Sequence, residues 1–206
     1  MVTHTSALPA SGTIPTMTSI DTTKTRAEAW TLLTAWTESE SLRRHMLAVE
    51  TAMRGAARRL GEDEALWGMT GLLHDFDYER YPDVPEHPLK GSEVLRAEGY
   101  PEILIQAILA HATETGVPRD TPLARHLFAV DELCGFLTAV TYVRPSRQIA
   151  DVDPASVKKK LRDKGFARAV SRDDIVQGAS EIGVDLDTHI ATVLADLQAN
   201  AEALGL

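Results

Sequence analysis

From residue 23 onward, apolar residues recur every three or four positions, and no stretch alternates convincingly with period two. The spacing predicts a first helix over 25–36, with Trp30, Leu33 and Trp36 on one face. A second is expected over 38–60, where Leu42, Met46, Val49 and Met53 form a buried stripe ended by Gly61. A third, over 63–75, carries Leu66, Met69, Leu72 and Leu73. Pro82, Pro85 and Pro88 then mark a loop, with Pro88 in the first turn of a helix that runs to Glu98 and stops at Gly99. Pro101 opens a fifth helix that ends near Gly116, and a long sixth spans 121–143 until Pro145 breaks it. The more polar remainder predicts helices over 154–163, 173–182 and 187–204, separated by Gly165 and Gly183. The fold class expected is therefore all-α: a helical core over 21–150 and a helical extension over 151–206 packed on it. Residues 1–20, rich in Thr, Ser, Pro and Ala and without periodicity, are expected to be a flexible leader.

Composition agrees with that picture. Aromatic residues make up 5% of the 206 residues, and Ala and Leu are abundant, which suits packed helices better than sheets. The formal net charge of -9 speaks against general nucleic-acid binding, because such a surface repels a phosphate backbone. Cys134 is the single cysteine, so neither an intramolecular disulfide nor a thiolate-rich zinc site can form, and a small core side chain is the expected role. No run approaches about 18 apolar residues, and no basic residue precedes Lys24, so neither a membrane span nor a signal peptide is expected. These features point to a cytoplasmic protein.

Polar residues placed on apolar faces are the candidate chemistry. His45 shares a face with Leu42, Met46 and Val49; His111 follows Leu104, Ala107 and Ile108 at helical spacing. Asp131 lies one turn after Leu127 and one turn before Cys134, and the adjacent pair His74 and Asp75 ends an apolar helix. His87 stands in the proline-rich loop. A carboxylate on an apolar face is costly unless paired or bound to a cation. Taken singly, each histidine reads as a hydrogen-bonded core residue, and Asp131 has Arg125 and Arg144 as available partners. Taken together, imidazole and carboxylate donors suit zinc, iron, manganese, nickel or cobalt. His4 in the leader, His126 and His189 are expected to take no part.

The ordered set His45, His74-Asp75 and Asp131 resembles the defining pattern of the HD-domain metal-dependent phosphohydrolases. Around it, Gly71-Leu72-Leu73-His74-Asp75, His87-Pro88-Leu89-Lys90-Gly91, Ala107-Ile108-Leu109-Ala110-His111 and Ala129-Val130-Asp131-Glu132-Leu133 resemble it too. The stretches His74-Asp75-Phe76-Asp77-Tyr78 and Val157-Lys158-Lys159-Lys160 are similar to a narrower bacterial and archaeal group, the predicted HD-superfamily hydrolases. Two departures stand out. Gly99-Tyr100-Pro101 precedes His111, so it does not match the branch that carries Gly-Tyr-Pro after paired histidines. Tyr78 stands where the nucleotidase branch has a glutamate.

The resemblance implies a helical HD bundle in which His45, His74, Asp75 and Asp131 hold one divalent metal. Asp75 would bridge to a second, completed by His87 and His111. The activity implied is hydrolysis of a phosphoester or phosphoanhydride in a small phosphorylated molecule such as a nucleotide, through a water activated by metal. Asp75, Asp77 and Glu79 are the candidate catalytic acids, and Lys90, Arg144 and Lys159 the candidate anion binders. The same six ligands resemble the mixed-valent di-iron oxygenases of the superfamily, and a non-catalytic nucleotide-binding sensor is a third reading. A homodimer through the amphipathic C-terminal helix is compatible with the pattern.

Overall fold

The computed structural model describes residues 24–206, so the expected leader 1–20 and His4 lie outside the described residues. Among the described residues there are helices and turns and no strand. The elements are α1 (Arg26–Trp36), α2 (Glu40–Leu60), α3 (Glu64–Leu73), α4 (Glu86–Ala97) and α5 (Glu102–His111), then α6 (Pro122–Tyr142), α7 (Pro154–Leu161), α8 (Arg172–Glu181), α9 (Leu186–Gln198) and α10 (Ala201–Leu204). No helix is long and apolar enough to cross a membrane.

Local chemistry explains most boundaries. Thr25 and Glu28 form a reciprocal capping box at the start of α1. Ser39, Asp63 and Thr121 accept from backbone N–H groups at the starts of α2, α3 and α6, and Pro122 occupies the first turn of α6. Gly61 ends α2 in the left-handed region (φ 73°), where a side chain would be strained.

The core is built where α2, α3, α5 and α6 meet, around Met46, Met53, Trp67, Leu72, Leu104, Ile108, Leu127 and Phe136. One close approach matters for the site. A Cβ on Gly71 would lie 2.9 Å from the carbonyl oxygen of Val49 and 3.0 Å from the Cα of Glu50, so only glycine lets α3 lie flat on α2. That contact carries His74, three residues on, to the middle of α2. The polypeptide of the extension packs back: α8 lies on α6, and α9 on α2 and α6. A Cβ on Gly178 would sit 2.5 Å from the Cα of Ala129, which makes the α6–α8 contact backbone-close as well.

Several boundaries differ from those predicted: α5, expected to end near Gly116, stops at His111 and is followed by a 3-10 turn over Thr113–Thr115, and three others differ as follows. Helix α3 stops at Leu73, and His74 to Arg80 form turns, held by Thr37 Oγ1 donating to the Phe76 carbonyl at 2.9 Å. Helix α4 begins at Glu86 with His87 (ψ 130°) and Pro88 off helical geometry, because both side chains are buried in the core rather than following the helix. The expected helix over 187–204 is broken between Gln198 and Ala201, where the chain turns to bury Leu204.

Candidate metal centre

Four helix ends or faces converge. His45 comes from the second turn of α2, His74 and Asp75 from the end of α3, His111 from the last residue of α5, and Asp131 from the middle of α6. His87 joins them from the irregular start of α4. Asp75 is central. Its Oδ2 faces His45 Nε2 at 3.8 Å and His74 Nε2 at 3.4 Å, while its Oδ1 faces His87 Nε2 at 3.2 Å and His111 Nε2 at 3.4 Å. Asp131 Oδ1 lies 2.9 Å from His45 Nε2 and 3.3 Å from His74 Nε2. Donor atoms of His45, His74 and Asp75 all lie within 4.8 Å of one another, and so do those of Asp75, His87 and His111.

The imidazoles are held in one tautomer by the other ring nitrogen. His74 Nδ1 donates to the Gly71 carbonyl at 2.8 Å, and His111 Nδ1 to the Ile108 carbonyl. His87 Nδ1 donates to Asp77 Oδ1 at 2.7 Å. Each Nε2 is thereby turned toward the carboxylates. The His74 ring is fully buried, yet its Nε2 has no hydrogen-bond partner. A buried polar atom left unsatisfied is rare in a folded protein. The orphaned Nε2, the paired carboxylates and the outer partners on Nδ1 together fit a divalent metal bound by nitrogen and oxygen.

Electrostatics point the same way. Burial alone would lower His74, but the Asp75 and Asp131 carboxylates outweigh it and hold the ring well above 6.5. Burial likewise opposes His87, whose neighbours Asp75 and Asp77 push it up to about 9. Burial would raise Asp75 and Asp131, but the facing histidines hold both well below the usual carboxylate range. In the metal-free protein the Nε2 atoms of His74 and His87 therefore carry protons that a metal would replace.

A cavity of about 410 Å³ opens above this cluster. His45, Asp75, His87, His111 and Asp131 reach it from the floor; its walls include Tyr78, Glu114, Phe128, Glu132, Val170 and Asp174. Glu132 accepts from the Ser171 N–H at 3.1 Å, and burial followed by the charge of Asp131 pushes its carboxyl up to about 7.

All six expected ligands are thus brought together, and the other expected residues lie elsewhere. Asp77 is buried beneath the site, with Oδ1 on His87 and Oδ2 accepting from the Gly91 N–H at 2.7 Å. Both its oxygens are engaged and it does not line the cavity. Glu79 turns outward and accepts from the backbone N–H groups of Glu38 and Ser39 at the start of α2. None of the expected anion binders lines the cavity. Lys90 pairs with Glu93 at 3.3 Å, and Arg144 with Asp153 at 3.2 Å and with Ser156. Lys159 is exposed on α7. Arg144 follows Asp131 by 13 residues along and just past α6, which displaces it by roughly 20 Å. His126 packs at a tilt against Trp67 and donates to the Pro122 carbonyl, and His189 bonds the Ala129 carbonyl, so both stay outside the cluster. Cys134 is buried.

The cavity walls were not singled out in the sequence. Phe128, Asp131, Glu132 and Gly135 share one face of α6, a signal that helical spacing does contain. Asp174 arrives from 43 residues downstream and has no local signature. No curated protein and no solved structure matches the chain. A family model described as HD domain matches residues 42–135, a span that opens three residues before His45 and closes four after Asp131. That span encloses every residue of the converging cluster and supports membership of the HD-domain superfamily.

Proposed function

We propose that this protein hydrolyses a phosphoester or phosphoanhydride bond in a small phosphorylated molecule, using two divalent transition metals drawn from iron, manganese, zinc, nickel and cobalt. The observation that carries this reading is the division of Asp75: one carboxylate oxygen serves the His45–His74 side and the other the His87–His111 side. A carboxylate so placed is suited to bridge two cations. Bound cations would polarise a phosphoryl oxygen and lower the pKa of water toward neutrality.

The chain's own residues supply position and charge. Asp75 and Asp131 would offset the cations, and the Nδ1 bonds to Gly71, Ile108 and Asp77 keep the Nε2 atoms of His74, His111 and His87 from reorienting during turnover. Asp77 acts through His87 and is a positioning residue. Water forms the new bond to phosphorus as the bond to the leaving oxygen breaks, and the proton that water loses ends on that leaving group. Glu79 belongs to the scaffold in this reading.

The test is metal content beside phosphate release, on protein purified without chelator. Two metals per chain and metal-dependent release of phosphate from phosphomonoesters are expected. One metal in both wild type and the His87→Ala, His111→Ala variant would remove the dinuclear reading. The same four histidines and two aspartates also suit a di-iron oxygenase. Copurifying iron with substrate-dependent oxygen consumption, and no phosphate release, would replace hydrolysis by that chemistry.

A further inference from the structure

We propose that the protein holds a second ligand site, between its core and its C-terminal extension, for a small neutral ring compound carrying an N–H or O–H donor. The site is a cavity of about 270 Å³ where α9 packs on α2 and α6, and it shares no wall residue with the cavity above the metal cluster. Ala56, Leu60, Val130, Ile182, Val184 and Val193 make its wall largely apolar. An apolar cavity of roughly 150 Å³ holds benzene, so the larger one here admits a bicyclic ring.

Two imidazoles set the polarity of that wall, His126 from α6 and His189 from α9. His189 is 4% exposed, and its Nε2 donates to the Ala129 carbonyl at 2.8 Å. Its Nδ1 forms no hydrogen bond, yet it is not among the fully occluded polar atoms that lack a partner. The surface left to it is therefore that of the cavity it lines. His126 Nδ1 donates to the Pro122 carbonyl at 2.8 Å, which leaves its Nε2 as a second acceptor. Burial lowers both rings, so both are neutral near neutrality and keep a lone pair on the free nitrogen. The hydroxyl donors of the wall are spent within the protein: Thr188 Oγ1 donates to Asp185 Oδ2 and Thr192 Oγ1 to the Thr188 carbonyl, each at 2.7 Å. Arg59 is paired through two nitrogens with Asp196, at 2.8 and 2.9 Å, so the charge at the wall is already offset. The cavity thus presents apolar surface and unused acceptors. A buried acceptor left without a donor is costly, and a ligand N–H or O–H removes that cost.

Heteronuclear NMR titration of the isotope-labelled full chain tests this with two probes of the same shape, indole and benzothiophene. Indole alone carries a donor, while benzothiophene is the more hydrophobic, so burial by itself would favour benzothiophene. Indole is expected to bind at least about threefold more tightly, with shifts centred on Val193 and on the free ring nitrogens of His126 and His189. Ala56→Leu, which fills the cavity from α2, is expected to abolish indole binding; if that variant fails to fold, the wild-type shifts still locate the site. Equal binding of the two probes, tighter binding of benzothiophene, or no binding of either because the cavity holds only water overturns the proposal. Shifts centred on the metal cluster, or indole binding retained in folded Ala56→Leu protein, overturn it as well.

Discussion

The two sides of the candidate metal cluster share Asp75, and one of its six residues, His87, is held differently from the rest. His45, His74 and Asp131 sit on or at the end of α2, α3 and α6, with α3 lying on α2 at backbone distance, and their positions follow from the register of those helices. His87 sits off helical geometry at the start of α4 and is aimed by a buried carboxylate, Asp77, itself anchored on the Gly91 N–H. A ligand on a packed helix inherits its direction from the core. A ligand off the helix needs a dedicated partner. The first half should therefore tolerate changes around it, and the second should fail when its outer support is altered.

Removing the shared residue erases the contrast, so the largest effect is expected from Asp75→Ala. Both halves should lose metal, and metal-dependent phosphate release should drop by at least about a thousandfold; elemental analysis and a phosphate assay check this. Retention of one tightly bound metal would show that the halves are independent. Next, His87→Ala with His111→Ala should remove one metal per chain and leave the other at full occupancy.

The sharper comparison comes from the outer support. Asp77→Asn should weaken metal at the His87 side by about ten- to a hundredfold, while the affinity of the His45–His74 side stays unchanged in a competition titration. Gly91→Ala should give a smaller loss at the same side, because its Cβ would fall 2.6 Å from the Asp77 Cγ and displace that carboxylate. Equal weakening on both sides would break the distinction.

The smallest effect is on stability against pH in chelated protein. His74 and His87 are raised by the facing carboxylates, so their contribution is complete below 6.5 and is lost for His87 as pH rises through about 9. Asp75 and Asp131 are depressed, so theirs is complete above 3.8 and is lost in acid. Thermal melts of metal-free protein should fall by a few degrees toward pH about 9, and bound metal should abolish that fall because it replaces the Nε2 protons.

Legibility followed the range of the forces involved. Helix positions and the inward direction of His45, His111 and Asp131 were readable because a 3.6-residue repeat imposes them locally. Asp77 was read as a candidate base because a carboxylate beside an HD pair gives no hint of which partner it faces. Its burial is decided by the return of α4, 14 residues on, to place Gly91 against it. Lys90, Arg144 and Lys159 were read as anion binders from charge alone, and charge has no direction until the helices are placed.

By itself the sequence determined the all-α architecture and the ordered set of histidines and aspartates that the HD-domain match encloses, since both are written along the chain. Only the tertiary structure decided how Asp75 divides its two oxygens, which nitrogen of each imidazole faces inward, and that the cavity wall is acidic. Those properties depend on the close approach of α3 to α2 and of α8 to α6. Contacts between residues far apart in the chain set the angle of a side chain, and no local pattern encodes an angle.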